Sequence, residues 1–220
     1  MNCVITAGPT YEPLDDVRRL TNFSTGRLGT ELANFLVARG HHVTLLTGVQ
    51  ATWPGPRHAQ TIIPFTTTAD LQARFKKLSR QKVDAIFHTA AVSDFTFGKI
   101  FTRAEDGELT AIKASKKIST REGSLFAELI PTPKILAGLR AWYPRTKIIG
   151  WKFEANGKRA NALQSARRQL AECANDACVA NGPAYGKGFG LVTVTGLNHF
   201  AGPQKLFQAL AELMEGERPA

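Results

Sequence analysis

Small and polar side chains are concentrated in residues 21–29, between an N-terminal apolar run and a segment with a helical pattern. The small residues Ser24, Gly26 and Gly29 would let a ligand come close to the backbone, and Arg27 adds a positive charge. The first N–H groups of a helix lack partners inside the helix and carry partial positive charge, so they favour an anion. These residues therefore predict a phosphate-binding loop and a nucleotide-dependent enzyme, with a tight turn and close helix packing as the alternative.

Other groups suited to chemistry are a carboxylate and a set of lysines. Asp94 follows an apolar run that is typical of a strand, and Lys113, Lys116 and Lys117 lie in a polar, basic stretch. Together with a phosphate-binding loop, they suit chemistry on an activated phosphate or an acyl phosphate. Catalysis of that kind depends mainly on charge neutralisation and positioning.

Signatures of dehydrogenases and hydrolases are weak in this sequence. Residues 8–13, which follow the first strand, do not form the Gly-x-Gly-x-x-Gly pattern of dinucleotide enzymes. Tyr143 and Lys147 have the spacing of a short-chain reductase pair, but Pro144 between them keeps the two off one helix face. No Gly-x-Ser-x-Gly elbow is present, and His88 is expected to be a packed core histidine. No metal-ligand cluster is visible, so any magnesium would arrive with phosphates.

The composition is that of one folded domain with an excess of positive charge. The 220 residues, 43% of them hydrophobic, can bury one core, and no apolar run approaches the roughly 18 residues of a membrane helix. The chain enters a strand directly after its first residues, which leaves no room for a signal peptide. Three cysteines without metal spacing fit the reducing cytoplasm. The net charge of +10 shows no basic stripe with interleaved aromatics, so we expect no nucleic acid and no membrane as partners.

Strand-like and helix-like patterns alternate along the chain. Strands are expected at residues 4–7, 43–46, 83–89, 147–153, 177–180 and 191–195. Helices are expected at residues 26–39, from an N-cap at Thr68 to about 81, and at 134–142, 161–174 and 204–214; residues 50–59 are expected to form a loop. This order predicts an α/β, Rossmann-like three-layer fold with a mostly parallel sheet. Residues 98–122 interrupt the alternation as a long irregular excursion, with at most one short strand.

Polar turns follow four of the expected strands, at residues 8–10, 90–94, 151–154 and 181–182. In parallel sheets, ligands bind beyond the carboxyl ends of the strands. The four turns are therefore expected to converge on one crevice, next to the phosphate-binding loop.

The sequence resembles the phosphopantothenate–cysteine ligase family, also called phosphopantothenoylcysteine synthetase, the ligase half of the DNA/pantothenate metabolism flavoproteins. The resemblance runs from Val4 to about Leu213 and is strongest over residues 5–10 and 15–29. A second match is the run Ala-Ala-Val-Ser-Asp-Phe at residues 90–95. Shorter matches follow in the expected order, at residues 116–118, 152–154 and 179–181.

This resemblance implies a cytoplasmic enzyme of coenzyme A biosynthesis that joins 4′-phosphopantothenate to L-cysteine. A nucleoside triphosphate activates the carboxylate as an acyl nucleotide with release of pyrophosphate, and the cysteine amine then attacks the acyl carbon. CTP is favoured and ATP is the alternative, with Mg²⁺ as the accompanying ion. A homodimer is expected, and residues 1–220 would form a single nucleotide-binding ligase domain in which 98–122 is a flap or dimer segment. No flavin is expected, because no decarboxylase motif is present.

The resemblance also assigns roles to particular residues. Asn22 and Lys117 would be catalytic, with Lys113 and Lys116 as alternatives for the lysine. The substrate-binding residues would be Arg18 (in its own or the partner subunit's site), Ala90, Ala91 and Asp94. The nucleotide-binding residues would be Gly8, Ser24, Gly26, Arg27, Gly29, Trp151, Phe153 and Asn181.

Several alternatives remain open at the level of sequence. Asn22 could be only a helix N-cap, Asp94 could cap a turn, and Trp151 could be a core residue. Tyr11 stands where many family members have a basic residue, which puts one phosphate contact in doubt. Alternative functions are a short-chain-type NAD(P)-dependent reductase and a nucleotide-binding module without catalysis.

Overall fold

The computed structural model describes residues 1–104, 106–112, 117–119 and 123–216. The strands of this part of the chain are β1 (Asn2–Ala7), β2 (Tyr11–Pro13), β3 (Arg19–Thr21), β4 (His42–Gly48), β5 (Thr61–Phe65), β6 (Ala85–His88), β7 (Phe95–Arg103), β8 (Leu109–Ile112), β9 (Ser124–Pro131), β10 (Lys147–Phe153), β11 (Ala177–Asn181), β12 (Phe189–Val192) and β13 (Leu197–Phe200). The helices are α1 (Arg27–Ala38), α2 (Thr68–Leu78), α3 (Ile135–Trp142), α4 (Arg159–Glu172) and α5 (Pro203–Glu215).

The main sheet has eight strands in the order β13-β12-β11-β10-β6-β1-β4-β5. The six strands from β5 to β11 run parallel to their neighbours, and β12 and β13 are antiparallel. From β1 the chain first builds outward through β4 and β5, and it then crosses to β6 on the other side of β1. The predicted α/β fold with a mostly parallel sheet is confirmed.

Two apolar layers cover the sheet, because successive side chains of its strands point to opposite faces. On β1, Cys3, Ile5 and Ala7 pack in the cluster that includes α1 and α5. Val4, on the other face, packs in the cluster that includes α2 and α3. Helix α4 covers Cys178 of β11 on that second face. The helices therefore form the two outer layers of the predicted three-layer arrangement.

Two small antiparallel sheets lie outside the main sheet. Strands β2 and β3 form a hairpin between β1 and α1, and β8, β7 and β9 form a three-stranded sheet. Residues 98–122, predicted as an irregular excursion with at most one short strand, contain two strands, the end of β7 and all of β8. The side chains of these strands are mostly exposed. Without a buried face, they lack the apolar alternation that would predict a strand.

Other differences from the prediction are local. The side chain of Thr67, not Thr68, caps α2 by accepting a hydrogen bond from the N–H of Asp70 at 3.1 Å. Strand β5 was not predicted; it is an edge strand that contains Pro64, a residue that a central strand does not tolerate. Strands β2, β3 and β13 were also missed, because they have only three or four residues. Among the described residues, no helix combines the length and apolar character needed to cross a membrane.

Candidate functional site

The polar turns after the parallel strands meet at one edge of the sheet. The turn after β1 is joined to the turn after β6 by two backbone hydrogen bonds, from Thr10 N–H to Ala91 O and from Ala91 N–H to Gly8 O, both at 3.1 Å. The N–H of Glu154, after β10, bonds to the carbonyl of Asn181 at the end of β11. The order in which strands are added to the sheet reverses between β1 and β6, and ligands bind at such a switch point in open α/β sheets. All four turns therefore lie along one edge of the sheet, and their convergence on a single crevice stays a prediction.

An open cleft of about 430 Å³ lies beside this edge, at the start of α1. Its lining consists of Gly8, the run 24–29, Glu31, Thr89, Phe189 and Pro203. The lining contains the five residues predicted for the phosphate-binding loop: Gly8, Ser24, Gly26, Arg27 and Gly29. Phe189 and Pro203 come from β12 and α5, so the far end of the chain supplies the opposite wall.

Glycines let the loop lie against the end of β1. Gly26 has a φ of 81° and Gly8 a φ of 85°, a region that side chains other than glycine rarely adopt. A Cβ on Gly26 would lie 3.0 Å from the Cβ of Ala51 and 3.2 Å from the Gly8 nitrogen. A Cβ on Gly29 would collide with the Thr89 hydroxyl. The glycines therefore serve the close packing that the sequence offered as an alternative, and the same packing forms the cleft.

The first turn of α1 presents free backbone donors to this cleft. The helix begins after Gly26, which has no side chain that could cap it. Among the described residues, no acceptor pairs with the N–H groups of Leu28 and Gly29. The Arg27 guanidinium bonds to Glu31 at 2.7 Å, and the Arg27 side chain is largely exposed. The cleft can therefore bind an anion through backbone N–H groups at a helix N-terminus.

Asn22 lies between the hairpin and the phosphate-binding loop. Its side-chain amide donates to the carbonyl oxygen of Ala91 at 3.2 Å. Gly26 occupies the N-cap position of α1, so the alternative in which Asn22 is only a cap does not apply. Asn22 and Ala91, two residues with predicted roles, are therefore in direct contact.

A buried hydroxyl network supports the segment that contains Ala90, Ala91 and Asp94. Thr10 donates to the Ser93 hydroxyl at 3.2 Å and accepts from the Ser93 N–H at 2.8 Å. The Thr132 hydroxyl bonds to the Ser93 carbonyl, and its N–H bonds to the Asp94 carbonyl at 2.9 Å. The Asp94 side chain itself is exposed, without a partner among the described residues, so the turn-capping alternative finds no support.

Arg18 lies in the turn of the hairpin and is held by Asp15. Its Nε donates to Asp15 Oδ2 at 2.9 Å, and its Nη2 donates to both Asp15 Oδ2 and the carbonyl of Ile118. Lys117 is exposed next to the buried Ile118, whereas Lys113 and Lys116 lie outside the described residues. The structure thus places Lys117 near Arg18 but does not distinguish it from the other two lysines.

Trp151, Phe153 and Asn181 lie at the carboxyl ends of β10 and β11. Phe153 pairs with Asn181 in the sheet register, and its ring is exposed. Trp151 packs against the core on the α1 face, as the core alternative expects. Yet its indole N–H is buried and has no partner among the residues that the structure describes, and the same holds for the Oδ1 of Asn181. Such atoms are rare unless a water or ligand pairs with them.

The residues considered for a reductase or a hydrolase make structural hydrogen bonds instead. Tyr143 donates to the carbonyl of Phe75, and the Lys147 amine bonds to the carbonyls of Leu213 and Gly216. The two therefore do not form a reductase pair. His88 is buried, as predicted, and shares a 3.0 Å hydrogen bond with Thr6. Burial lowers the pKa of His88 to about 4.

The described residues have neither a group of metal ligands nor an accessible cysteine. Within the described ranges, no three His, Cys, Asp or Glu side chains form a group that could hold a metal ion. Cys3, Cys173 and Cys178 are free and buried. Burial raises the pKa of Cys3 and of Cys178 to about 12.

Sequence reasoning missed Asp15, although it belongs to the stretch that carries the resemblance. The carboxylate of Asp15 is fully buried and accepts five hydrogen bonds, from the N–H of Val17, the N–H and guanidinium of Arg18, and the N–H of Ile118. The Arg18 bonds, helped by the backbone donors, outweigh burial and hold the pKa of Asp15 well below its usual range. The only sequence signal was an Asp three residues before an Arg.

Comparisons with known proteins agree with this architecture. Residues 1–199 match the model of the DNA/pantothenate metabolism flavoprotein C-terminal domain. The coenzyme A biosynthesis bifunctional protein CoaBC of Thermococcus kodakarensis is 31% identical over 179 residues, which cover 81% of this chain and 40% of that protein. The Escherichia coli K12 protein of the same name is also 31% identical, covering 80% and 41%. The chain thus spans about two fifths of the length of these relatives.

Solved structures share the fold. The DNA/pantothenate metabolism flavoprotein of Streptococcus pneumoniae superposes with a TM-score of 0.84 at 27% identity, covering 96% of this chain and 97% of that one. A mutant of Cab2 in complex with phosphopantothenate-cysteine has a TM-score of 0.76 at 19% identity, covering 97% and 85%. The second likeness shows the fold alone.

Proposed function

This chain belongs to the DNA/pantothenate metabolism flavoprotein C-terminal domain family, and we propose that it is a phosphopantothenate–cysteine ligase. It would join 4′-phosphopantothenate to L-cysteine through an acyl-nucleotide intermediate, in coenzyme A biosynthesis. The observation that carries the proposal is the family match over 1–199, joined to a cleft lined by the residues predicted for the phosphate-binding loop. The names of the bifunctional relatives, which act in coenzyme A biosynthesis, point the same way.

The cleft at the start of α1 would hold the nucleotide. The unpaired N–H groups of Leu28 and Gly29 would bind phosphate oxygens without needing a charged side chain. The base would lie over the exposed ring of Phe153, close to the carboxyl ends of β10 and β11. The buried, unpaired atoms of Trp151 and Asn181 support a ligand in this area. CTP is favoured over ATP as the nucleotide.

Activation of the carboxylate would occur where the nucleotide cleft meets the Ala90–Ala91 segment. The Asn22 amide has two N–H donors, and one of them bonds to Ala91. The other donor can bind the acyl phosphate and orient it for attack by the cysteine amine. Asp94, exposed at the same strand end, would contact the pantothenate arm. This part of the mechanism is positioning, which is the main source of rate for such reactions.

Charge that develops on the leaving phosphate would be neutralised by Lys117, and Arg18 would bind a substrate phosphate. The Nη1 of Arg18 has no partner among the described residues, so it can take a phosphate oxygen while Nε and Nη2 stay on Asp15. Mg²⁺ would be held chiefly by the triphosphate, because the described residues contain no ready group of metal ligands. Glu31 is the acidic side chain in the described lining of the cleft. No flavin is part of the proposal.

We further propose that the protein acts as a homodimer. The hairpin exposes Leu20 and carries Val17 and Phe23 beside it, and the ring of Phe23 is completely exposed. The adjacent three-stranded sheet exposes Leu129 and Ile130. Apolar patches of this kind mark interaction surfaces. A second copy of the chain is the proposed occupant, in line with the expectation from the family.

The test is pyrophosphate release by purified protein with 4′-phosphopantothenate and Mg²⁺, with CTP and ATP in parallel. Release that requires phosphopantothenate supports carboxylate activation, and the better nucleotide identifies the base. Formation of phosphopantothenoylcysteine after cysteine is added, detected by mass, completes the assignment. Nucleotide binding without pyrophosphate release would refute the ligase and favour a binding module.

A further inference from the structure

The carboxylate of Asp15 joins two parts of the chain that are 103 residues apart. Its Oδ1 accepts hydrogen bonds from the N–H groups of Val17, at 3.0 Å, and Arg18, at 2.8 Å. Its Oδ2 accepts from the Arg18 guanidinium and, at 3.1 Å, from the N–H of Ile118. One oxygen thus shapes the hairpin turn, and the other holds Arg18 and the backbone next to Lys117.

Arg18 closes this arrangement from the other side. Its Nη2 donates to the carbonyl oxygen of Ile118 at 3.0 Å, so both backbone polar groups of Ile118 are engaged by the Asp15–Arg18 pair. The Ile118 side chain is 6% exposed, whereas Lys117 beside it is exposed. The backbone at Ile118 is therefore held by two hydrogen bonds, and the exposed Lys117 side chain has no partner among the described residues.

The span between Arg18 and Asn22 is compatible with action of both on the same substrate. Arg18 and Asn22 flank β3 and are four residues apart, a span of about 13 Å if the chain is extended. Lysine and arginine side chains can cover much of that distance. A cation held at Ile118 can therefore act on a phosphate that Asn22 orients.

We propose that Asp15 is a positioning residue, which fixes the 117–119 segment against Arg18 so that Lys117 and Arg18 act together on the substrate phosphates. Asp15 touches no reacting atom in this proposal. It acts by holding the Arg18 guanidinium directly and the backbone next to Lys117 through the N–H of Ile118. The role in catalysis rests on the proposed function, whereas the anchoring of Ile118 does not.

Asp15→Asn tests whether Asp15 anchors the backbone at Ile118, because the variant keeps one acceptor oxygen and replaces the other by an NH₂ group. An amide can keep its oxygen on the turn N–H groups of Val17 and Arg18, but its NH₂ group then faces the donors of Arg18 and Ile118. The matched control is Asp16→Asn, which removes the same charge from the exposed neighbouring residue. Asp15→Ala is less informative, because it also removes the acceptor of the turn.

The rate of cleavage of the folded protein by endoproteinase Lys-C measures how firmly Ile118 is held. The enzyme can cut the Lys117–Ile118 bond only after the backbone there has opened locally. We expect Asp15→Asn to raise the rate of cutting after Lys117 at least about tenfold, as for loss of a charge-assisted hydrogen bond. Intact mass distinguishes this cut from those at neighbouring lysines. Cutting after the exposed Lys82 and the behaviour of Asp16→Asn should be unchanged. Equal cutting after Lys117 in Asp15→Asn and wild type would overturn the proposal.

The kinetic arm tests the catalytic part. In the full ligase assay, Asp15→Asn should lower kcat for cysteine transfer at least about tenfold while the KM for nucleotide changes little. A rise in the nucleotide KM by the same factor as the fall in kcat would contradict the positioning role. So would an unchanged kcat together with an unchanged KM. If Asp15→Asn does not fold, Arg18→Gln provides the same proteolysis test, since it removes the bond to the Ile118 carbonyl. Absence of ligase activity in wild type would refute the proposed function and leave the cleavage result valid.

Discussion

The side-chain amide of Asn22 donates a hydrogen bond to the carbonyl oxygen of Ala91 across 3.2 Å and 69 residues of sequence. Because Ala91 also accepts the N–H of Thr10, its carbonyl fixes the turn after β1 and the loop before α1 at once. One amide therefore links the wall of the proposed pantothenate site to the entrance of the proposed nucleotide cleft.

Replacing Asn22 by Asp should separate the two half-reactions. The carboxylate cannot donate to Ala91 and would repel an acyl phosphate, so we expect cysteine transfer to slow about 100-fold. Nucleotide binding should stay nearly unchanged. Single-turnover measurements of pyrophosphate release and product formation provide the check. Equal losses in both steps would count against this role.

Gly26→Ala should damage the cleft at the start of α1, where we propose that the nucleotide binds. The left-handed backbone would be strained, and the new Cβ would crowd Ala51 and the Gly8 nitrogen. We expect a loss of about 1–3 kcal/mol in unfolding free energy together with weaker CTP binding. Gly40→Ala is the control, because Gly40 has a φ of 83° with no atom within 4 Å of a Cβ. A comparable loss of CTP affinity in both variants would mean that the contact with Ala51 has no part in the effect.

His88 should make the protein less stable in mild acid. It is neutral and buried in the folded protein with a pKa of about 4, whereas in the unfolded chain its pKa is about 6.5. The unfolded state therefore binds the proton first, and stability falls as pH drops from about 6.5 towards 4. We expect His88 to account for about 2 kcal/mol of loss between pH 7 and pH 5. Urea unfolding at both pH values should show this part of the loss in wild type but not in His88→Gln.

The proposed dimer should depend on the three-stranded sheet. Leu129→Glu places a charge in the exposed apolar patch, and we expect it to convert the dimer into a monomer at micromolar concentration, as measured by light scattering. Val194→Glu alters another exposed apolar residue, between β12 and β13, and should leave the mass unchanged. A wild-type protein that is monomeric throughout would contradict the homodimer.

The main sheet was predictable because its central strands are buried on both faces. Ile5, Leu45 and Phe87 lie in apolar runs that show their burial locally. The three-stranded sheet could not be recognised in this way, since residues such as Leu129 and Phe126 remain exposed on it. Its strands are held by pairing with each other, and a pattern of side chains does not record such pairing.

The candidate site was predictable where its residues are close in sequence. Ser24, Gly26 and Gly29 lie within six residues of each other around the start of α1, and all three line one cleft. The part played by Asp15 could not be read in the same way, because its partner Ile118 is more than 100 residues away. Contacts of that range depend on the path of the chain through β7 and β8, which the sequence pattern left undefined.

The buried thiols bear on how this protein would tolerate its proposed substrate. Solutions of cysteine oxidise to cystine, and cystine forms mixed disulfides with exposed thiolates. Cys3, Cys173 and Cys178 are shielded, and the raised pKa of Cys3 and Cys178 keeps both protonated at neutral pH. Incubation of the folded protein with cystine should therefore leave its mass unchanged. We therefore expect the protein to stay unmodified even where part of the cysteine, its proposed substrate, has been oxidised to cystine.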